Sequence, residues 1–130
     1  MSSLRRNLKL PNSTQFRLAY DLGRRYNERL VTVFVRPNGM LYHRMGITAS
    51  RRLALRAVDR NRMKRLLREA FRLNYSSLCS LNNQYDWVIN AKRPLLDSKT
   101  AAALFELNRV ITKVFNDESN SSLRDSTNQT

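Results

Sequence analysis

The sequence predicts an α+β protein in which helices pack on a single β-sheet. In three segments the apolar residues recur every three or four positions, which is the repeat of one helix face. Two other segments, Arg29–Val35 and Tyr85–Ala91, are rich in β-branched and aromatic residues, which favour strands. A chain of 130 residues with 42% hydrophobic content suits one compact domain with a modest core.

The first half of the chain predicts a helix and a β-hairpin. The helix spans Asn12–Tyr20, with Ser13 as its N-cap, because apolar residues share one face beyond that point. The strand Arg29–Val35 is followed by a turn signal, Pro37–Gly39, and by a returning strand, Leu41–Ser50. We therefore expect these two strands to pair antiparallel.

The second half of the chain predicts a helix, a strand and a last helix. Asp59 is the expected N-cap of a helix that nothing interrupts before about Tyr75. A polar loop separates this helix from the strand Tyr85–Ala91. The last helix is expected to begin near Thr100 and to end near Phe115, since an apolar stripe runs along that segment.

Composition predicts the domain boundaries and excludes several classes of protein. Residues 1–115 are predicted to form the folded domain, and residues 116–130, which are almost free of apolar side chains, a disordered polar tail. No apolar run approaches the roughly 20 residues of a membrane helix. The N-terminus also lacks the apolar segment of a secretory signal. A cytoplasmic protein with no membrane partner is the expectation.

The chain has one cysteine, Cys79, and one histidine, His43, which limits its chemistry. A disulfide within the chain is impossible, and a zinc site of Cys and His is excluded. The 10 acidic residues are spread along the sequence without the clustering of a metal site. We therefore expect no catalytic residue and no metal site in the protein itself.

The charge of the chain predicts a polyanionic partner. Lys and Arg number 24 against 10 Asp and Glu, so the formal net charge is +14. Self-repulsion of this size costs stability in the free protein, and release of counterions drives binding to a nucleic acid. The segment Arg51–Arg72, with nine basic and two acidic residues, carries half of the excess charge.

Most of this basic segment is predicted to be an amphipathic helix. At 100° per residue, one face carries the apolar side chains Met63, Leu66, Leu67, Ala70 and Phe71. The opposite face and its margin carry Asn61, Lys64, Arg65, Arg68 and Arg72. Burying a Leu or Phe side chain contributes about 1.5–3 kcal/mol, whereas a like-charge pair four residues apart costs roughly 0.2–0.5 kcal/mol. Burial therefore wins, and the helix forms.

The bias toward arginine favours nucleic acid over lipid headgroups, because guanidinium groups bind phosphate bidentately and stack on bases. Arg60 and Arg62 lie in the first turn, where the helix dipole disfavours cations and a phosphate would also meet free backbone N–H groups. A solvated charged helix face is the alternative. A helix-turn-helix DNA-binding protein fits less well, since its recognition helix follows another helix directly. A membrane-surface helix also fits less well, since the apolar face is expected to cover the sheet.

Four segments resemble the bacterial ribonuclease P protein subunit family. RNRMKRLLREAF, Arg60–Phe71, is similar to its Arg-Asn-Arg signature, which continues into a basic and apolar helix. MGITASRR, Met45–Arg52, resembles its glycine-containing strand and basic pair. YDWVINAKRP, Tyr85–Pro94, resembles its late strand and turn, and FRLAYDLGRR, Phe16–Arg25, its first helix. The resemblance covers about residues 4–115.

The resemblance implies an RNA-dependent endonuclease that removes the 5′ leader from precursor tRNA. The partners would be ribonuclease P RNA and precursor tRNA, with no DNA, and the chemistry would belong to the RNA subunit and its Mg²⁺ ions. The fold would resemble ribosomal protein S5 domain 2: a single mixed sheet with the element order α-β-β-(β)-α-β-α and a left-handed βαβ crossover. A small basic ribosomal protein, or another structural RNA-binding protein, is the alternative function.

The charge pattern and the resemblance assign two groups of binding residues. The RNA subunit is expected to contact Arg51, Arg52, Arg56, Arg60, Asn61, Arg62, Lys64, Arg65, Arg68 and Arg72. The leader is expected to bind in a cleft between the first helix and the sheet, through Phe16, Tyr20, Val31 and Val33. Single-stranded RNA stacks on aromatic side chains, and packing of Phe16 and Tyr20 into the core is the alternative. Phe34 is expected to face away from the cleft, because strand side chains alternate.

Overall fold

The computed structural model describes residues 9–128, and the side chains of residues 9–120. Within that range four α-helices, four strands and one 3₁₀ helix follow one another, which confirms the α+β class. They are α1 (Ser13–Leu22), β1 (Arg24–Asn27), β2 (Val31–Pro37), β3 (Arg44–Thr48), α2 (Ala57–Leu73), α3 (Tyr75–Cys79), β4 (Tyr85–Ala91), the 3₁₀ helix (Arg93–Asp97) and α4 (Thr100–Asn128).

The four strands form one mixed sheet, as the resemblance implied. Their order is β1-β2-β4-β3, and β1 is antiparallel to β2, as β2 is to β4. β3 and β4 are parallel, and α2 and α3 connect them. β4 lies between β2 and β3. Its first five residues are all buried, as in strands that are covered on both faces. The handedness of the crossover stays a prediction.

The predicted hairpin between Arg29–Val35 and Leu41–Ser50 is wrong. β4 is inserted between β2 and β3, so these two strands are not hydrogen-bonded neighbours, and β2 forms its hairpin with β1 instead. Glu28 N–H donates to the carbonyl oxygen of Val31 at 2.8 Å and closes that hairpin. The sequence of β1 has a single aromatic residue and no β-branched one, and it therefore gave no strand signal.

Two helix starts differ from the predicted ones. The N-cap of α1 is Asn12 rather than Ser13, and its Oδ1 accepts a hydrogen bond from the backbone N–H three residues on, at 3.2 Å. α2 begins at Ala57, two residues before the predicted cap Asp59. Asp59 lies in the first turn of α2 and pairs with Arg56 at 3.0 Å, in a place where the helix dipole favours a carboxylate.

The last helix is longer than predicted. α4 continues past Phe115 to Asn128, so the disordered tail predicted for residues 116–130 is wrong at least through residue 120, while residues 129 and 130 lie outside the described range. The carboxylate of Glu118 is buried and accepts hydrogen bonds from the backbone N–H groups of Asn82 and Asn83 and from the hydroxyl of Tyr85. Burial and this carboxylate raise the pKa of Tyr85 to about 12, so the phenol remains a donor at neutral pH.

The sheet separates two layers of packed helices. On one face, α2 and α4 pack on each other and cover the larger core, where the ring of Phe71 meets Trp87 of β4 edge-on with the ring centroids 5.8 Å apart. On the other face, α1 alone covers a smaller core. The amphipathic character of α2 is confirmed, because its buried residues are Met63, Leu66, Leu67, Ala70 and Phe71.

His43, which precedes β3, is buried and forms three hydrogen bonds. Its Nδ1 accepts from the backbone N–H of Tyr85 at 3.0 Å and from the indole N–H of Trp87 at 3.1 Å. Its Nε2 donates to the carbonyl oxygen of Leu78 at 3.3 Å, so the ring is the neutral tautomer. Burial lowers the pKa of His43, against the opposing effect of the nearby Glu118 carboxylate.

The stability of the protein is therefore expected to depend on pH through His43. The unfolded chain takes up a proton on this residue near pH 6.5, whereas the folded protein takes it up only at lower pH. The free energy of unfolding should then decrease as the pH falls below about 6.5. Urea unfolding between about pH 7.5 and pH 5 measures this effect. The variant His43→Asn keeps an acceptor but does not titrate, and an unchanged pH profile in this variant would contradict the assignment.

Candidate RNA-binding site

Helix α2 presents its cations to solvent on the side opposite its buried apolar residues. We call the ten predicted RNA-subunit contacts the arginine surface. Arg60 and Lys64 are partly buried, and the exposed members are Arg51, Arg52, Arg56, Asn61, Arg62, Arg65, Arg68 and Arg72. The structure thus places the whole set on the outer side of α2 and on the loop that leads into it.

Most cations of the arginine surface have no acidic partner. Arg56 pairs with Asp59 and Arg72 with Glu69, and Arg72 lowers the pKa of that glutamate. Within residues 9–120, no carboxylate lies within salt-bridge distance of the other seven cations. Exposed ion pairs contribute only about 0–1 kcal/mol. The surface therefore keeps a strong positive potential, which a polyanion would neutralise.

Arg60 and Arg62 also have a structural role that the sequence did not reveal. Arg60 donates to the two carbonyl oxygens before the N-cap of α2, those of Ala54 and Leu55, at 2.9 and 2.7 Å. Arg62 donates to two carbonyl oxygens in and after the 3₁₀ helix, at 2.8 and 3.2 Å. Among the cations of the arginine surface, those with neither an acidic partner nor a hydrogen-bond acceptor within residues 9–120 are Arg51, Arg52, Lys64, Arg65 and Arg68.

The sheet face under α1 is organised in three rows that cross the strands. From one end of the strands to the other, the rows are charged, apolar and polar. They consist of Arg36, Asp86 and Arg44, then of Phe34, Val88 and Gly46 with the exposed Arg25 at the β1 edge, and then of Asn27, Thr32, Asn90 and Thr48. The side chains of α1 pack on the apolar row. We call the last set the polar row; the hydroxyl of Tyr20 in α1 reaches it at Asn90. We call the surface that the polar row forms beside α1 the cleft.

Two aromatic residues of α1 lie at this cleft. Tyr20 is 39% exposed, its ring meets Phe34 edge-on with the centroids 4.8 Å apart, and its hydroxyl donates to Oδ1 of Asn90. Phe16 is half-buried and sits on Gly46, where an added Cβ would lie 2.2 Å from the ring. Tyr20 therefore offers an accessible ring to a ligand, whereas Phe16 forms part of the cleft wall.

Val31 and Val33 do not belong to the cleft. Both are 0% exposed and lie in the larger core on the opposite face of the sheet, so the prediction that they contact the leader is wrong. Because side chains alternate along β2, Thr32 and Phe34 lie on the cleft face instead. The segment VTVFV carries valines on one face and Phe34 on the other, so its pattern alone did not decide which face α1 covers.

A cavity of about 170 Å³ lies between the cleft and the arginine surface, beside β3. Its floor is apolar, and its rim carries three cations. The floor includes Leu10, Phe16, Gly46 and Ile47, and the cations are Lys9, Lys64 and Arg68. Bases stack on apolar and aromatic surfaces while their phosphates bind cations, so this cavity offers a nucleotide both kinds of contact.

The residues that the structure describes contain no group of three His, Cys, Asp or Glu side chains that could hold a metal ion. No helix in the same range is long and apolar enough to cross a membrane. The arginine surface and the cleft supply cations, hydrogen-bond donors and aromatic rings, which are groups that bind RNA.

Comparisons with known proteins identify the family of the chain. Residues 4–114 match the ribonuclease P family. The ribonuclease P protein component of Methylococcus capsulatus is 35% identical over 104 residues, which are 80% of this chain and 78% of that protein. Its counterpart from Chromobacterium violaceum is 33% identical over 110 residues, 85% of this chain and 88% of that protein.

Two solved structures have the same fold. The RNase P protein of Staphylococcus aureus superposes with a TM-score of 0.69 at 29% identity, over 83% of this chain and 97% of the other. The RNase P protein of Thermotoga maritima superposes with a TM-score of 0.70 at 26% identity, over 81% and 96% of the two chains.

The fold, the charge and the cleft define a small basic α+β protein with surfaces that suit RNA. The family match and the relatives above 30% identity show which family this is. The chain belongs to the ribonuclease P protein component family. Membership implies participation in an endoribonuclease complex that processes tRNA.

Proposed function

We propose that this chain is the protein subunit of ribonuclease P, that it binds the catalytic RNA through the arginine surface, and that it binds the 5′ leader of precursor tRNA in the cleft beside α1. The RNA subunit with its Mg²⁺ ions hydrolyses the phosphodiester bond and gives the mature tRNA 5′ end. The protein supplies binding and orientation, holds no metal of its own, and acts in the cytoplasm.

The proposal is supported chiefly by the presence of two neighbouring surfaces with different chemistry. The five unpaired cations of the arginine surface suit the closely spaced phosphates of a folded RNA. The cleft, with the exposed ring of Tyr20 and the polar row, suits a single strand whose bases are unstacked. A structural RNA-binding protein needs only the first surface, so the second one favours a substrate with a single-stranded segment.

Reconstitution tests the proposal. The chain is added to the ribonuclease P RNA of the same genome at a low Mg²⁺ concentration, and cleavage of precursor tRNA is measured. We expect the chain to raise kcat/KM above that of the RNA alone, and the complex to bind precursor tRNA more tightly than mature tRNA. Absence of any effect on cleavage would contradict the proposal. Tight binding of the RNA without a preference for the leader would leave only a structural role.

Replacing Tyr20 with alanine is expected to weaken binding of precursor tRNA to the reconstituted complex. Loss of one base-stacking contact costs roughly 1–3 kcal/mol, or about 5- to 150-fold in affinity, while the affinity for mature tRNA should stay the same. The matched control is Phe105→Ala. This variant removes an aromatic ring that is 64% exposed on α4, the helix that packs on the face of the sheet opposite the cleft. Equal losses for the two tRNAs, or equal losses in the two variants, would show that Tyr20 does not bind the leader.

A further inference from the structure

The polar row contains an asparagine whose two amide ends have different surroundings. Asn90 of β4 lies in the middle of the row, paired with Thr32 of β2 and Thr48 of β3. Its Oδ1 accepts hydrogen bonds from the hydroxyl of Tyr20 at 2.9 Å and from the hydroxyl of Thr48 at 2.6 Å. Its Nδ2 makes no hydrogen bond with any group in residues 9–120, and the residue is partly exposed. The amino end is therefore left for a ligand.

The two contacts fix the orientation of the amide. The amide oxygen of Asn90, rather than its amino group, lies beside the hydroxyls of both Tyr20 and Thr48. A carbonyl oxygen has two lone pairs, and the two hydroxyl donors occupy both of them. Asn90 therefore presents two N–H donors and no free acceptor to the cleft.

We propose that Asn90 is a specificity-determining residue that selects a keto base, U or G, at one position of the bound leader. This inference rests on the proposed function, since it assumes that a single strand lies in the cleft. A group that only donates matches a base edge that only accepts, such as O6 and N7 of guanine or O4 of uracil. The amino groups of adenine and cytosine would place a donor opposite a donor.

The neighbouring contacts explain why adenine is disfavoured here, although asparagine is often its partner. Bidentate binding of adenine by an asparagine needs the amide oxygen as an acceptor for the adenine amino group. In this chain Tyr20 and Thr48 already occupy that oxygen. Tyr20 thus has two functions: its exposed ring offers a stacking surface, and its hydroxyl determines which end of the amide reads the base.

Competition between precursor tRNAs tests this inference. For each leader position in turn, four precursors are prepared that carry U, G, C or A at that position. The four are mixed and cleaved by the reconstituted complex, and the ratios of their kcat/KM values are measured. One hydrogen bond gained or lost corresponds to roughly 3- to 10-fold. We expect U and G to be preferred over C and A by about this factor at a single position, and Asn90→Ala to abolish the preference while the leader still increases binding.

A second variant tests the role of the amide oxygen. The double substitution Tyr20→Phe and Thr48→Val keeps the ring and the β-branched strand residue but removes both hydroxyl donors. The oxygen of Asn90 is then free to accept, and we expect adenine at the same position to gain relative to U and G. A base preference that is the same in the wild type and in both variants would overturn the inference and leave leader binding intact. No contribution of the leader to binding in the wild type would overturn the proposed function as well.

Discussion

Replacing Asp86 with alanine is expected to destabilise the folded protein by about 3–5 kcal/mol, as is typical when one partner of a buried ion pair is removed. Asp86 is 0% exposed in the charged row of the sheet. Both of its oxygens accept hydrogen bonds from Arg44 at 2.8 Å, and Oδ1 also accepts one from Asn38 at 3.0 Å. The aspartate joins β4 to β3 and to the turn after β2, and it raises the pKa of Arg44.

The cost arises because the guanidinium of Arg44, whose side chain is only 13% exposed, would remain in the sheet without its counterion. Equilibrium unfolding in urea measures the loss. The matched control is Asp97→Ala, which removes an exposed carboxylate from the end of the 3₁₀ helix and should change the free energy of unfolding by less than about 0.5 kcal/mol. A loss below about 1 kcal/mol for Asp86→Ala would mean that water replaces the carboxylate at little cost.

Replacing both Arg65 and Arg68 with alanine is expected to cause a large loss in binding to the RNA subunit. Both side chains are exposed, and neither has a hydrogen-bond partner within the described residues. If each binds one phosphate, the slope of log K against log salt concentration should decrease in magnitude by about 1.4–1.8. At about 0.1 M salt this corresponds to a loss of affinity of roughly 20- to 60-fold. The fold should be unaffected, because neither residue contributes to the core.

The control for this variant removes the same charge elsewhere. Arg29 and Arg109 are exposed beside Phe105, on a different part of the surface. The double substitution of these two residues with alanine should weaken binding only slightly, through the change in net charge. If both double variants lose the same affinity, the RNA is held by the total charge of the protein and not by the arginine surface.

Local sequence patterns predicted individual helices and strands. The buried face of α2 follows from the spacing of its leucines, and β4 follows from its β-branched and aromatic residues. The pairing of strands was not predictable in this way. The turn signal at Pro37–Gly39 is real, since Gly39 has a φ of 67°, but it leads the chain toward the far edge of the sheet and not back along β2.

The sequence predicted which cations of the candidate site are exposed. It did not predict the residues whose position depends on how the helices pack on the sheet. The exposed arginines follow from the sequence, because guanidinium groups without partners remain in water. The carbonyl acceptors of Arg62 lie more than 30 residues away along the chain. The choice between Val33 and Phe34 as cleft residues depends on which face of β2 meets α1, and only the packed structure determines that.

The contacts of Glu118 have a consequence for shortening or fusing the chain. A protein that ends at Phe115, where the apolar stripe stops, would lose the carboxylate that accepts from two backbone amides and a tyrosine. Those donors, at the entry to β4, would then lose both their acceptor and the turns of α4 that cover them. A partner protein or an affinity tag should therefore be joined beyond residue 120, so that the turn of α4 that carries Glu118 remains in place.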